Sequence, residues 1–316
     1  MLIDRRFLLR SAAPALAAAA LLPASAFAQK KAGKAEKTPS RPVAKGITTK
    51  DVNGLTVFDV GGCNVIALAG PDGALLVDGG RAADSAALLK AMADALKTSR
   101  VSTLINTHWH PEQVGSNEAV GKAGGTIISH EVTRLYLGRD SRSMLYPAVI
   151  KALPPEARPT KTTYDKGSLQ VAGETVDYRY LPAAHTNGDL YVHFPKRNVI
   201  AAGGPVSAVR WPVMDYMNGA FMHGFVRSYD ILASVVKPDT IIIPAEGPTL
   251  TGAEVVKQRD MYWQLFKDMF ADFNKGFGPK DVIDSRPLKD HEAQYGDPAV
   301  FLDAAYRSLQ LATIPH

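Results

Sequence analysis

The sequence predicts an α/β fold, and three observations carry that reading. Short β-rich apolar runs punctuated by Gly and Pro occupy residues 55–78 and return over 167–202. Stretches with apolar residues at helical spacing follow each group, at 84–97 and 217–236. The chain thereby divides into two comparable halves, each built of strands and helices.

The first 50 residues stand apart from this pattern. Asp4-Arg5-Arg6-Phe7-Leu8-Leu9-Arg10 resembles a twin-arginine export signal, Ser11 to Leu22 is an alanine-rich apolar run, and Ala26-Phe27-Ala28 before Gln29 is a small-x-small cleavage site. The apolar run is short for a bilayer span. Residues 1–28 are therefore expected to be a signal peptide, with a periplasmic mature protein that keeps no integral membrane segment. Gln29 to Lys50 carries seven basic residues against Glu36 and almost no large apolar ones, so 29–50 is expected to be a flexible basic tail.

Charge and cysteine usage narrow the function. The whole chain has 36 basic and 31 acidic residues; removing the ten basic and two acidic residues of 1–50 leaves 26 and 29, a net charge of −3. The excess of cations lies in leader and tail, so no clustered basic face for a nucleic-acid backbone is expected. One cysteine, Cys63, allows no intrachain disulfide and reads as a small buried thiol. With 46% hydrophobic residues the chain can rest on its core.

The elements follow in order. Leu55 to Val60, Asn64 to Ala69 and Ala74 to Asp78 read as a meander of strands, and Asp84 to Lys97 as a helix with Asp84 at its N-cap. Val101 to Asn106 reads as a buried strand, Gly115 to Lys122 as a helix, and Thr126 to Ser129 as a strand ending at His130. Residues 131–160 combine a helix at Val132 to Leu137 with four prolines. They read as an irregular insertion that could flank a pocket, with Tyr136, Met144 and Tyr146 as substrate walls or its own packing. Strands at Gly167 to Val171, Glu174 to Leu181, Leu190 to Phe194 and Val199 to Ala202 suit a second sheet, before a helix at Met217 to Val236 and a strand at Thr240 to Ile243. Glu254 to Phe270 and Val300 to Leu311 are amphipathic helical stretches that either cover a sheet or form a homo-oligomer contact.

The chemistry is expected at Thr107-His108-Trp109-His110-Pro111-Glu112-Gln113, at the end of the buried strand. Two imidazoles one residue apart there can turn towards one point. A third histidine stands in Leu181-Pro-Ala-Ala-His185-Thr-Asn-Gly-Asp189, between two strand-like runs. In this ordered set of landmarks, residues 51–250 resemble the metallo-β-lactamase superfamily, whose pattern is H-x-H-x-D-H, a histidine in an H-T-x-G-D-like loop, an aspartate, and a final histidine. The resemblance implies a four-layer αββα sandwich over 51–250, with 251–316 as a C-terminal helical extension. It places His108, His110 and His185 on the first metal site, and makes Asp78-Gly79-Gly80 the family's aspartate-glycine turn. Asp78 is then either an acceptor that orients a ligand histidine or part of a plain turn.

The family's second metal site is altered throughout. Glu112 stands where an aspartate is expected and Gln113 where a histidine is, Gly204 replaces the bridging aspartate, and Glu246 replaces the last histidine. Two ions a few ångströms apart repel unless anionic groups lie between them, so one zinc ion is expected, with iron and manganese as alternatives. Three neutral histidines leave zinc a fourth position where bound water ionises near about pH 7, and Glu112 would accept its proton or merely hydrogen-bond the loop. The implied function is an exported zinc-dependent hydrolase that attacks a small ester, thioester, lactone or lactam with metal-bound hydroxide. The alternatives are a non-catalytic binding or scaffold protein of this fold, and a non-haem iron oxygenase, whose centres usually combine two histidines with a carboxylate. Rebuilding the second site with Glu112→Asp, Gln113→His, Gly204→Asp and Glu246→His is expected to raise zinc from about one to about two equivalents.

Overall fold

A computed structural model describes residues 46–309. The expected leader, the tail up to residue 45 and the chain end from residue 310 lie outside the described residues.

Sheet one runs β1 (Ile47–Val52), β2 (Leu55–Val60), β3 (Cys63–Leu68), β4 (Ala74–Val77), β5 (Val101–Ile105), β6 (Thr126–His130) and β7 (Lys161–Thr163), in that order across the sheet. It is antiparallel up to β4 and parallel from there on. Sheet two runs β8 (Lys166–Val171), β9 (Glu174–Leu181), β10 (Asp189–Phe194), β11 (Val199–Gly203), β12 (Ile241–Pro244) and β13 (Leu250–Thr251). The helices are α1 (Ser85–Leu96), α2 (Pro111–Val114), α3 (Asn117–Lys122), α4 (Glu131–Leu137), α5 (Met222–Val235), α6 (Gly252–Asn274), α7 (Pro279–Ser285), α8 (Glu292–Tyr295) and α9 (Ala299–Leu309).

Three buried clusters define four layers, and consecutive strand residues divide between them with a period of two. Leu75 and Val77, Ile105 and Ile128 of sheet one meet Val192, Val199, Ala201 and Ile243 of sheet two in the cluster between the sheets. Their chain neighbours Ala74, Leu76, Leu104 and Ile127 turn outward onto Leu88 and Met92 of α1 and Val120 of α3. On the far side, Ile200, Ala202 and Ile242 turn outward onto α5, α6 and α9. The result is the αββα sandwich with C-terminal helices.

Three local expectations are corrected. Residues 47–50, read as tail, belong to β1, where Ile47 to Val52 pair in register with Val60 to Leu55. An edge strand needs a backbone partner more than an apolar face, and only Val52 of this one is buried. The helix expected from Met217 begins instead at Met222, because Gly219 adopts φ +86° and ends a separate turn at 216–218. Asp84 does sit at the N-cap of α1, but its carboxylate pairs with Arg81 (2.9 Å) rather than the helix N–H groups. The aromatic stripe of α6 is a packing face: Tyr262, Leu265 and Met269 are buried with α5 and α9.

Candidate metal centre

Both metal loops leave the ends of central strands. Thr107 to His110 follow β5, and Pro111 sits in the first turn of α2, where its missing N–H costs no hydrogen bond. His185 lies in the β9–β10 loop, whose form is set by Asp189. That buried carboxylate accepts from His185 N (2.7 Å), Thr186 N (2.9 Å) and Thr186 Oγ1 (2.7 Å), while burial pushes its pKa up to about 7. Leu190 N donates to Thr107 O (2.7 Å), so the two loops are bonded across the sandwich.

His108, His110 and His185 are all buried, and their donor atoms lie within 4.8 Å of one another. The three rings stand nearly perpendicular in pairs, at interplanar angles of 87°, 85° and 87° and centroid separations of 4.9, 4.7 and 4.6 Å. Their outer nitrogens are engaged. Asp78, as a carboxylate, accepts from Thr107 N (2.7 Å) and Thr107 Oγ1 (2.8 Å), so Thr107 Oγ1 has spent its proton and accepts from His108 Nδ1 (3.0 Å). Val213 O can only accept, so His185 Nδ1 donates to it at 2.6 Å. His110 Nε2 faces Asp215 Oδ2 at 3.4 Å.

The partners of His108 and His185 leave each with an unprotonated Nε2 turned inward, and His110 turns its Nδ1 towards the same point. His185 Nε2 and His110 Nδ1 stand 2.9 Å apart. An approach that close is favourable when a proton or a metal cation lies between the two nitrogens. Burial, reinforced by the neighbouring histidines, holds His185 down at about 3 and His108 well below its ordinary value. Both are thus neutral at pH 7, as metal ligation requires. The donor set fits a borderline ion such as zinc.

The residues expected at the second site are not drawn into this cluster. Glu112 Oε2 accepts from the Tyr146 hydroxyl (2.6 Å), which comes from the 131–160 insertion. Burial pushes the Tyr146 phenol well above its ordinary value, with the Glu112 charge adding to it. Gln113 is buried, and its backbone carbonyl ties the loop to Gly79 N (2.6 Å) and Asn106 Nδ2 (3.2 Å). Glu246 is paired with Arg210, on a segment bridged to Cys63. Gly204 lies against the His185 ring: a Cβ there would overlap its carbons and stand 2.8 Å from Nε2. The rebuilt two-metal site is therefore expected to fail on steric grounds, because an aspartate at 204 would press on the His185 ring.

Asp78 is linked to His108 through Thr107 rather than directly. It holds φ +64°, a left-handed conformation that aspartate tolerates better than most residues, and burial pushes its pKa up to about 7. Thr107, Val213, Asp215 and Tyr146 as a partner of Glu112 were not legible. Asp215 is buried and also accepts from Asn218 Nδ2 (2.9 Å). Burial alone would raise it, yet contacts with His110, Ser143 and Asn218 outweigh burial and hold it below its ordinary value. His130 is structural: its Nδ1 accepts from Val132 N (3.2 Å) at the start of α4, and its ring stacks on Tyr180 at 4.2 Å. Of the other candidate pocket residues in 131–160, Tyr136 stacks on Trp109 (4.7 Å), while Met144 is exposed. Cys63 is buried and forms no disulfide.

Comparison with known proteins agrees with this fold. Among solved structures, a metallo-beta-lactamase from Pontibacter korlensis is similar to the chain at 18% identity and TM-score 0.53, over 69% of this chain and 93% of that one. The inverting sec-alkylsulfatase Pisa1 from Pseudomonas sp. is similar at 15% identity and TM-score 0.59, over 83% of this chain and 50% of that one. A comparison with curated proteins finds no match. The model of the metallo-beta-lactamase superfamily matches residues 58–249, which include all three converging histidines. The chain belongs to the metallo-beta-lactamase superfamily.

Proposed function

We propose that this chain is an exported hydrolase with one zinc ion, acting on a small ester, thioester, lactone or lactam. The observation that carries the reading is the inward set of three buried histidine nitrogens within 4.8 Å of one another, each ring with a partner on its outer side. An ion held there supplies a Lewis acid and lowers the pKa of a water molecule. Glu112, beside His110 at the start of α2, takes the proton of the attacking water. Tyr146 orients it, with its ring 5.6 Å from that of His110 and its hydroxyl on Oε2. The engaged carboxylates of Glu112 and Glu246 support one ion rather than two.

Metal analysis of protein purified without chelator, followed by turnover on a panel of substrates, tests this. Alkyl sulfates join the panel because Pisa1 is a sec-alkylsulfatase. About one equivalent of zinc with turnover of a carboxylic ester, thioester, lactone or lactam is expected. Bound metal without any turnover would favour the scaffold reading, and bound iron with oxygen consumption the oxygenase.

Tyr146→Phe should keep its metal yet lose turnover on the order of tenfold, part of the 10²–10⁴ that a positioned base contributes. Metal lost together with turnover would assign the Glu112–Tyr146 pair to holding the loop instead.

The leader carries the export proposal. Changing both Arg5 and Arg6 to lysine should strand the precursor in the cytoplasm, and normal periplasmic delivery of that variant would rule the twin-arginine route out.

A further inference from the structure

Residues 204–221, which join β11 to α5, face two ways. Towards the histidines they present Val213 O to His185 Nδ1 and Asp215 Oδ2 to His110 Nε2, while Asp215 N donates to His185 O (3.0 Å). Away from them, Val206, Trp211 and Met214 are buried among α5, α6, α8 and α9. Met214 thus stands between the two residues that touch the histidines, with its own side chain in the helical core.

Two polar anchors set the height of this segment over the metal site. Gln258, buried on α6, donates from Nε2 to Ser207 O (2.7 Å) and Tyr295 Oη (3.1 Å). Its Oε1 lies 3.0 Å from the Tyr229 hydroxyl, which is also 3.2 Å from Pro205 O. Trp211 donates from Nε1 to Gly296 O (2.7 Å), and its ring packs on Tyr295 at 4.8 Å and Phe301 at 5.8 Å. An apolar side chain at 258 could fill the same core, but it could not fix where the Ser207 backbone lies. A fully partnered buried polar network selects one arrangement of the groups it joins.

We infer that the C-terminal helices position the metal centre, with Trp211 and Gln258 as positioning residues that act through Val213 and Asp215; this rests on the metal-centre reading above. Shifting the segment lengthens the contacts to His185 Nδ1 and His110 Nε2. Those contacts keep the inward nitrogens aimed at one point. Losing such outer partners typically weakens metal binding by about 10- to 100-fold.

The test compares the full chain with Trp211→Phe, which keeps an aromatic ring but loses the N–H donor, and Gln258→Leu. The control is Met269→Ala, buried in the same cluster about three turns further along α6. Zinc affinity is read by competition with a chromophoric chelator, ligand geometry by the visible spectrum of the cobalt(II)-loaded protein, and fold by melting of the metal-free protein. Trp211→Phe and Gln258→Leu should each lose about tenfold in affinity and shift the cobalt bands. Met269→Ala should lower the melting temperature while leaving affinity and spectrum as in the parent. Unchanged affinity in both test variants, or an equal loss in the control, overturns the inference while the metal centre stands. Failure of the parent chain to take up zinc overturns both.

Discussion

His185→Ala is expected to leave the purified protein almost without metal, whereas His130→Ala and His193→Ala keep the parent's content. The contrast follows from what each ring touches. His185 offers one of three inward nitrogens, and no other histidine, cysteine or carboxylate among the described residues belongs to that group. Structural zinc sites have apparent binding energies of ~10–16 kcal/mol, so an even share for one of three ligands is ~4 kcal/mol, about a thousandfold in affinity. His130 instead caps α4 and stacks on Tyr180, and its loss should appear as a melting change, of about 1 kcal/mol for the cap alone. His193 lies half-buried on β10, across the ladder from Asp177 and Ile200. Metal analysis by mass spectrometry beside thermal melting separates the two effects. Equal metal content in all three variants would show that the ligands have been misassigned.

The three histidines were legible because metal ligation depends on side-chain type, and the loops that carry them leave strands whose apolar runs announce themselves. The split of Leu75 from Leu76, or Ile105 from Leu104, between two cores follows from the same period of two. The partners behind the ligands were not legible, for different reasons. Val213 acts through its carbonyl, which every residue possesses, so its identity carries no signal. Asp215 reaches His110 from a segment of irregular backbone, more than 100 positions along the chain, whose course is set by the C-terminal helices. Tyr146 sits in an insertion where both packing and pocket roles suited its composition. β1 escaped notice because its backbone ladder, rather than apolar content, holds it in the sheet. Gly204 was read as a missing carboxylate. Its neighbourhood shows in addition a place where a side chain cannot fit.

That steric point reverses the expected outcome of rebuilding a second site. Gly204→Ala alone should weaken zinc binding by about tenfold or more, and the fourfold variant Glu112→Asp, Gln113→His, Gly204→Asp and Glu246→His should hold less than one equivalent rather than two. The added Cβ would overlap the His185 ring, so one of the two must move. The strand side is held: Gly203 pairs with Pro244 in the β11–β12 ladder, and its carbonyl accepts from Ala245 N (2.9 Å). The ring side is held by the 2.6 Å bond from His185 Nδ1 to Val213 O. Overpacking of this kind typically costs ~1–3 kcal/mol, and because the displaced group is a ligand the cost falls on metal affinity, where 1.4 kcal/mol is about tenfold. Backbone strain is not the cause, since the positive φ belongs to Gly203 (+67°) and Gly204 lies outside that region. Far-ultraviolet circular dichroism should therefore match the parent while zinc titration weakens. Two tightly held equivalents in the fourfold variant would show that the loop yields, and that the four altered residues together had kept the site mononuclear.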